Sequence, residues 1–276
     1  MDVLGIAKQA GRLVWTNKYL WFFGFFVASA GGGAGAPPKG KPSAGGAEAL
    51  PGWLWPVLAA AALAGLVALI LHVVSEAALI EGIQHRRENR SFGIRLGFSS
   101  GLRHFWRVVG VKMLAAAVVL AAAGLIVAPV LLAVFKALPL WIGIPLTILL
   151  ALAGVPLLLT GYFLYEYALR FAVLEGAPAT DAYRAAMGFL HGRIVPSVLL
   201  LVTSSVSAIV AAPLALVAAI PAAIVGGIVY LTAGLVPALA SGVPVLVVLL
   251  VPVFGALGTF RSAVWTLGFL DARKAA

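Results

Sequence analysis

Cysteine does not occur in the 276 residues. Its absence rules out disulfides and thiolate metal sites and leaves the redox compartment open. Charge is nearly as scarce: 10% of residues are Asp, Glu, Lys or Arg against 63% apolar, and the mean hydropathy is +1.10. So few polar side chains do not cover a water-soluble globule of this length, and the composition implies a membrane protein. Acidic residues are the rarest charge, nine against nineteen basic, for a net charge of +10. Catalytic signatures are missing too. No segment matches a phosphate-binding Gly loop, a Gly-x-Ser-x-Gly elbow or a His-Glu-x-x-His zinc helix, and the run AGGGAGA has no Lys-Ser or Lys-Thr after it. The pair His72 and Glu76 lacks a second His on the same helix, so no metal is assigned. No catalytic residue and no cofactor are expected, and the chain is not read as an enzyme.

What charge there is falls in blocks. Sixteen of the nineteen Lys and Arg lie in the first 18 residues, in 84–112, in 170–193 and from 261 onward. Basic residues near span ends are retained on the cytoplasmic side, so these four segments are expected inside, and those around 31–52, 136–142 and 234–243 outside. Both termini are then cytoplasmic, in a bacterial inner membrane. The block pattern sets topology and does not form a nucleic-acid-binding face.

A helix needs about 20 apolar residues to cross ~30 Å of hydrocarbon. Trp53–Ile80, Val108–Phe135, Leu140–Leu169 and Val243–Leu270 qualify. The stretch from Ile194 to about Leu235 is too long for one simple crossing, and Pro213 and Pro221 suggest a kinked or partly re-entrant passage. The first crossing is the weakest. Leu20–Ala30 follows the basic residues Lys8, Arg12 and Lys18 and closes on Ala28-Ser29-Ala30, which also fits a cleavage site. It is read as retained, making about six spans. Residues 31–51 are a low-complexity Gly, Ala, Pro and Lys stretch expected to be a flexible outer loop. Trp21, Trp53, Trp55, Trp141 and Trp265 read as interfacial anchors. Ala115–Ala117, Ala121–Gly124 and Gly226-Gly227 read as sites of close helix approach.

The cytoplasmic segments carry a helical period. In FGIRLGFSSGLRHFWRVV, Phe98, Leu102, Phe105 and Val109 share one face and Arg95, Ser99, Arg103 and Arg107 the other. In TDAYRAAMGFLHGRIV, Tyr183, Ala186, Met187, Leu190 and Ile194 oppose Asp181, Arg184 and His191, with Thr180 as the expected N-cap. GIAKQAGRLVW supplies a third such segment. Lys8 to Arg95 is 87 residues and Arg95 to Arg184 is 89. The reading is an all-α polytopic transmembrane bundle of one domain with three pseudo-repeats, about 1–90, 91–178 and 179–276, each an interfacial amphipathic helix and a transmembrane hairpin.

Ionisable groups inside spans cost about 2.5–3.5 kcal/mol each on insertion scales, so each needs a partner or a use. The returning helices carry Glu76, Glu166 and Arg261. Glu76 lies 19 residues before Arg95 and Glu166 lies 18 before Arg184, equivalent positions in two repeats. If the hairpins share an axis, these three form a charged layer, with His72, Arg170 and Lys112 near in depth. The layer is either an ionic network holding helices in register or a gate or proton- or cation-handling site. Arg86, Arg87, Arg90, Arg95, Arg103 and Arg107 form a basic surface suited to anionic headgroups, or serve only to set topology.

At WTNKYLWFFGFF, residues 15–26, and FRSAVWTLGFLD, residues 260–271, the chain resembles a diffuse group of bacterial six-helix integral membrane proteins of unassigned role. These are similar to the membrane domain joined to some glycerophosphodiester phosphodiesterases. The resemblance implies a membrane domain accessory to lipid or envelope processes. It implies no hydrolytic activity, since nothing here matches the phosphodiesterase domain. The expected function is a non-catalytic membrane scaffold or accessory protein, with anionic lipid and other membrane proteins as partners. The alternatives are a small-solute or ion transporter using the Glu76, Glu166 and Arg261 layer and, least favoured, a membrane-embedded lipid enzyme.

Overall fold

The computed structural model describes residues 2–31 and 54–274; the expected outer loop, beyond Gly31, and Trp53 lie outside the described residues. Among the described residues the chain is all α-helical. The helices are α1 (Val3–Thr16), α2 (Leu20–Gly31), α3 (Leu54–Arg87), α4 (Ile94–Val134), α5 (Leu140–Leu174), α6 (Ala179–Leu190), α7 (Ile194–Ala233) and α8 (Leu235–Lys274). Five of them, α3, α4, α5, α7 and α8, are long and apolar enough to cross a membrane. The apolar part of α2, Leu20–Ser29, is shorter.

Local chemistry sets the ends. Asp2 caps α1, its carboxylate accepting from the Gly5 amide at 2.9 Å. His85, Arg86 and Arg87 fill the last turn of α3, where positive charge meets the unpaired carbonyls. α6 begins directly after Pro178, so Thr180 sits inside the helix and is not its cap. The turns after α6 and α7 use Gly192 at φ +78° and Gly234 at φ +84°, a region that favours glycine.

One open choice is decided and one expectation changes. α7 is one uninterrupted helix of 40 residues with Pro213 and Pro221 inside it. A proline in an apolar span frees one carbonyl and bends the helix without ending it, because no water competes for the backbone. The Arg95–Val109 segment is likewise continuous with its span in the 41-residue α4, not a separate interfacial helix. The segment contains Gly97 and Gly101 but no proline, and nothing else in it stops helix propagation.

The chain divides into two compact, discontinuous units. The first holds Arg103–Leu201 and the C-terminal residues from Phe269. Here α6 packs on α5, and Tyr167, Phe171, Phe189 and Phe269 form an aromatic cluster with ring centroids 4.9 to 6.3 Å apart. The second holds Asp2–Leu102 and Val202–Gly268. In it α2 packs on α3, and α2 crosses α8 backbone to backbone: a Cβ on Gly255 would stand 2.5 Å from the Trp21 carbonyl oxygen, and ones on Gly24 or Gly258 would stand closer still to backbone or Thr259 atoms. The Thr259 hydroxyl bonds the Leu20 carbonyl at 3.0 Å across this crossing.

Within individual helices burial is polarised. In α3 the residues from Leu58 to Ile70 are exposed where described and Val73–Val74 and Ala77–Ile80 are buried; in α5 the buried run is Glu166–Val173; in α8 it is Ser262–Phe269. The exposed stretches are large and apolar, such as Leu149 and Leu152 of α5, as lipid contact requires. Trp55 and Trp141 are exposed, but Trp265 is fully buried and is a core residue, not an interfacial anchor.

The faces that pack within the protein coincide only in part with the apolar stripes of these segments. On α4 they are Gly97, Ser100, Gly101, His104 and Val108, while Leu102 and Trp106 are exposed. On α6 they are Ala182, Ala186, Phe189 and Leu190, while Met187 and the neighbouring Ile194 are exposed. Small residues let helices approach closely, and lipid accepts the large apolar ones. For the same reason Gly124 and Gly227 have nothing within 4 Å of a would-be Cβ, whereas Gly226 meets Gly242.

Candidate functional site

The face of α5 within GYFLYEYALR places Tyr162, Glu166 and Arg170 at successive i, i+4 positions, one above another. Glu166 and Arg170 form an ion pair whose side chains are only 9% and 3% exposed. The Arg170 guanidinium also donates to the Glu166 backbone carbonyl, and the Tyr162 hydroxyl donates to the Glu166 carboxylate at 2.7 Å. Charge-assisted bonds of this kind offset part of the cost of taking both groups away from water. Nearby in the same unit, the Lys112 ammonium lies 3.0 Å from the Tyr165 hydroxyl and 5.7 Å from the centre of its ring. Lys112, Glu166 and Arg170 therefore belong to the first unit.

Glu76, His72 and Arg261 belong to the second unit. His72 and Glu76 are half-buried on α3, and Arg261 on α8 is exposed. His72 has Nδ1 at 3.0 Å from the Phe26 carbonyl oxygen. A carbonyl only accepts, so the bond fixes the tautomer with hydrogen on Nδ1.

The six arginines behave in two ways. Arg90, Arg95, Arg103 and Arg107 are exposed, with Arg90 3.2 Å from the Glu88 carboxylate. Arg86 and Arg87 are half-buried, and Arg86 donates to the Asn17 side-chain oxygen at 2.5 Å and stands 5.8 Å from the Tyr19 ring centre. Arg86 thereby ties the end of α3 to the α1–α2 corner. Burial raises the Tyr19 phenol above its ordinary value, and Arg86 partly offsets the shift. On α6, burial pushes the Tyr183 phenol up to about 12, and its hydroxyl donates to the Val111 carbonyl at 3.3 Å.

Two grooves adjoin these groups. In the second unit an apolar groove of about 700 Å³ is lined by α1, α7 and α8, with Trp15 and Trp21 in its wall. In the first unit a groove of about 480 Å³ runs between α4 and α5, and Lys112, Tyr162, Tyr165 and Tyr183 line it together with aliphatic side chains. Tyr162 thus connects a cavity wall to the buried carboxylate. Its hydroxyl donates inward from a ring in the groove wall, a geometry suited to orienting a polar guest beside the pair.

Sequence reasoning missed Tyr162 and Tyr165, although the i−4 spacing of Tyr162 from Glu166 was a usable sign. It also missed Ser100, whose hydroxyl donates to Glu81, and Asn17. Those contacts are long in sequence and follow from helix packing, which no local spacing reveals. The chain matches no family model, no curated protein and no solved structure.

Proposed function

We propose that the protein is a multi-pass membrane transporter of a small solute or ion, with Tyr162, Glu166 and Arg170 of the first unit as the core of its charged site. The observation that carries the reading is the 2.7 Å bond from Tyr162, a groove-lining residue, to the carboxylate of the buried Glu166–Arg170 pair. An ionised pair is expensive within an apolar helix, and one placed a single hydrogen bond from a cavity is positioned for use. Purified protein in proteoliposomes tests it, with ion and solute gradients imposed in turn. Flux is expected for the wild type and lost in Glu166→Gln with folding intact. Equal flux in the two proteins, or none in the wild type under any gradient, refutes the reading.

A second reading is favoured by a different observation. Arg95, Arg103 and Arg107 are exposed beside exposed Leu102 and Trp106 at one end of α4, a basic and apolar face suited to an anionic membrane surface. It makes the protein a non-catalytic scaffold or accessory subunit, with membrane protein partners and the role suggested by the phosphodiesterase-linked membrane domain. Indifference to neutral and anionic lipid in co-purification removes its basis.

Both readings place the basic segments and both termini on the cytoplasmic side of a bacterial inner membrane. Both take α1, the start of α4 and α6 as the leading segments of three pseudo-repeats. Because the chain has no cysteine, single Cys probes at Lys8 and Lys136 report orientation: an impermeant thiol reagent applied outside is expected to label only position 136.

A further inference from the structure

The groove between α4 and α5 is apolar along most of its length, through Ala115, Val118 and Ala122 on one side and Leu157 and Leu158 on the other. One end is different. Lys112 supplies a cation there, and Tyr162, Tyr165 and Tyr183 each supply a ring with a polar tip. From Lys112 to Ala122 α4 advances about 15 Å at ~1.5 Å per residue. That is half of the ~30 Å hydrocarbon core, the depth of a single leaflet. The groove therefore has the length of one lipid tail, with a positive charge at the level of the headgroup.

We propose that this groove holds one acyl chain of an anionic phospholipid from the leaflet at the basic ends of the helices, with its phosphate against the Lys112 ammonium and the Tyr165 hydroxyl. Charge complementarity selects the occupant. Lys is a point-charge phosphate ligand, and tyrosine suits the boundary because its body is apolar and its tip wet. A zwitterionic lipid would bring a second ammonium to the same end. The lipid is a resident of the fold and not the transported solute; the two readings share the groove wall at Tyr162, and lipid retention and flux are read separately.

Native mass spectrometry of the full chain tests it, after equilibration in mixed micelles with phosphatidylglycerol or phosphatidylcholine. The wild type is expected to retain one tightly held phosphatidylglycerol in preference to phosphatidylcholine. Lys112→Gln should weaken that retention roughly fivefold, as expected for one basic charge near an anionic headgroup. Gly161→Leu supplies the second arm. Gly161 lines the groove and has nothing within 4 Å of a would-be Cβ, so a leucine there fills the channel without a clash at Cβ. That variant should lose the tight lipid while keeping helicity and loose annular anionic lipid. Equal retention of the two lipids by the wild type, or an unchanged tight site in Gly161→Leu, overturns the proposal. So does displacement of the lipid by inorganic phosphate alone, because the acyl chain would then contribute nothing.

Discussion

Gly255→Ala is the sharpest test of how the second unit is held together. The added Cβ would stand 2.5 Å from the Trp21 carbonyl oxygen, about 0.9 Å inside the 3.4 Å at which ordinary contact begins. The obstructing atom is backbone, so no rotamer change relieves it, and α2 and α8 must separate by roughly that amount. The Thr259 bond to the Leu20 carbonyl, now 3.0 Å, would lengthen to about 3.9 Å and cease to be a hydrogen bond. Overpacking costs about 1–3 kcal/mol and the lost bond about 1 kcal/mol, while alanine's better helix propensity returns about 1 kcal/mol. The net expectation is a loss of about 1–3 kcal/mol, read as a fall of several degrees in the thermal midpoint in one fixed detergent. Thr259→Val removes the bond without the clash and should fall between this variant and the wild type. Gly65→Ala on α3, with nothing within 4 Å, controls for glycine replacement and should be neutral or stabilising. A Gly255→Ala protein as stable as Gly65→Ala refutes the crossing.

Arg170→Met strands the Glu166 carboxylate and should cost about 3–5 kcal/mol, whereas the double variant Glu166→Met, Arg170→Met should recover much of the loss; equal thermal midpoints for single and double variants would contradict the buried pairing. The Tyr183 phenol, raised to about 12 by burial, favours the folded state fully below the unfolded value near 10, and the contribution is lost as pH rises through about 12. A wild-type minus Tyr183→Phe ultraviolet titration should therefore show one late phenol, and a midpoint near 10 in folded protein would count against it. Arg86→Ala removes a charged hydrogen bond to Asn17, in general worth about 1.5–3 kcal/mol, and should speed amide exchange around residues 17–21 while leaving α6 unchanged; no local change contradicts the tie.

The membrane class, the long apolar helices and the amphipathic character of α1 and α6 were legible because bilayer thickness and helical period are written directly into composition and spacing. The buried faces were not. The helical period named Leu102, Met187 and Ile194 as parts of apolar stripes, but lipid is a good solvent for them, and packed positions off those stripes went to Gly101 and Ala182. Trp265 misled for a related reason: its place near a span end suggested the interface, and only the neighbouring helices reveal that it is enclosed. Of the candidate site, the ionisable residues themselves could be named from the rule that charge in a span needs a reason. Their partners Tyr162 and Tyr165 lay one helical turn or less from Glu166 in plain sight, while the contact of Asn17 with Arg86 depends on a fold-level approach across 69 residues.

The prolines of the long helices carry a mechanical consequence. Pro145 and Pro156 in α5 and Pro244 and Pro252 in α8 are exposed and lie outside the buried runs Glu166–Val173 and Ser262–Phe269 of their helices. Each removes one rung of the backbone ladder, so flexural stiffness is lowest there. A thicker or thinner bilayer would then be accommodated by deflecting the distal arms, and the side-chain contacts at the basic ends would be left undisturbed.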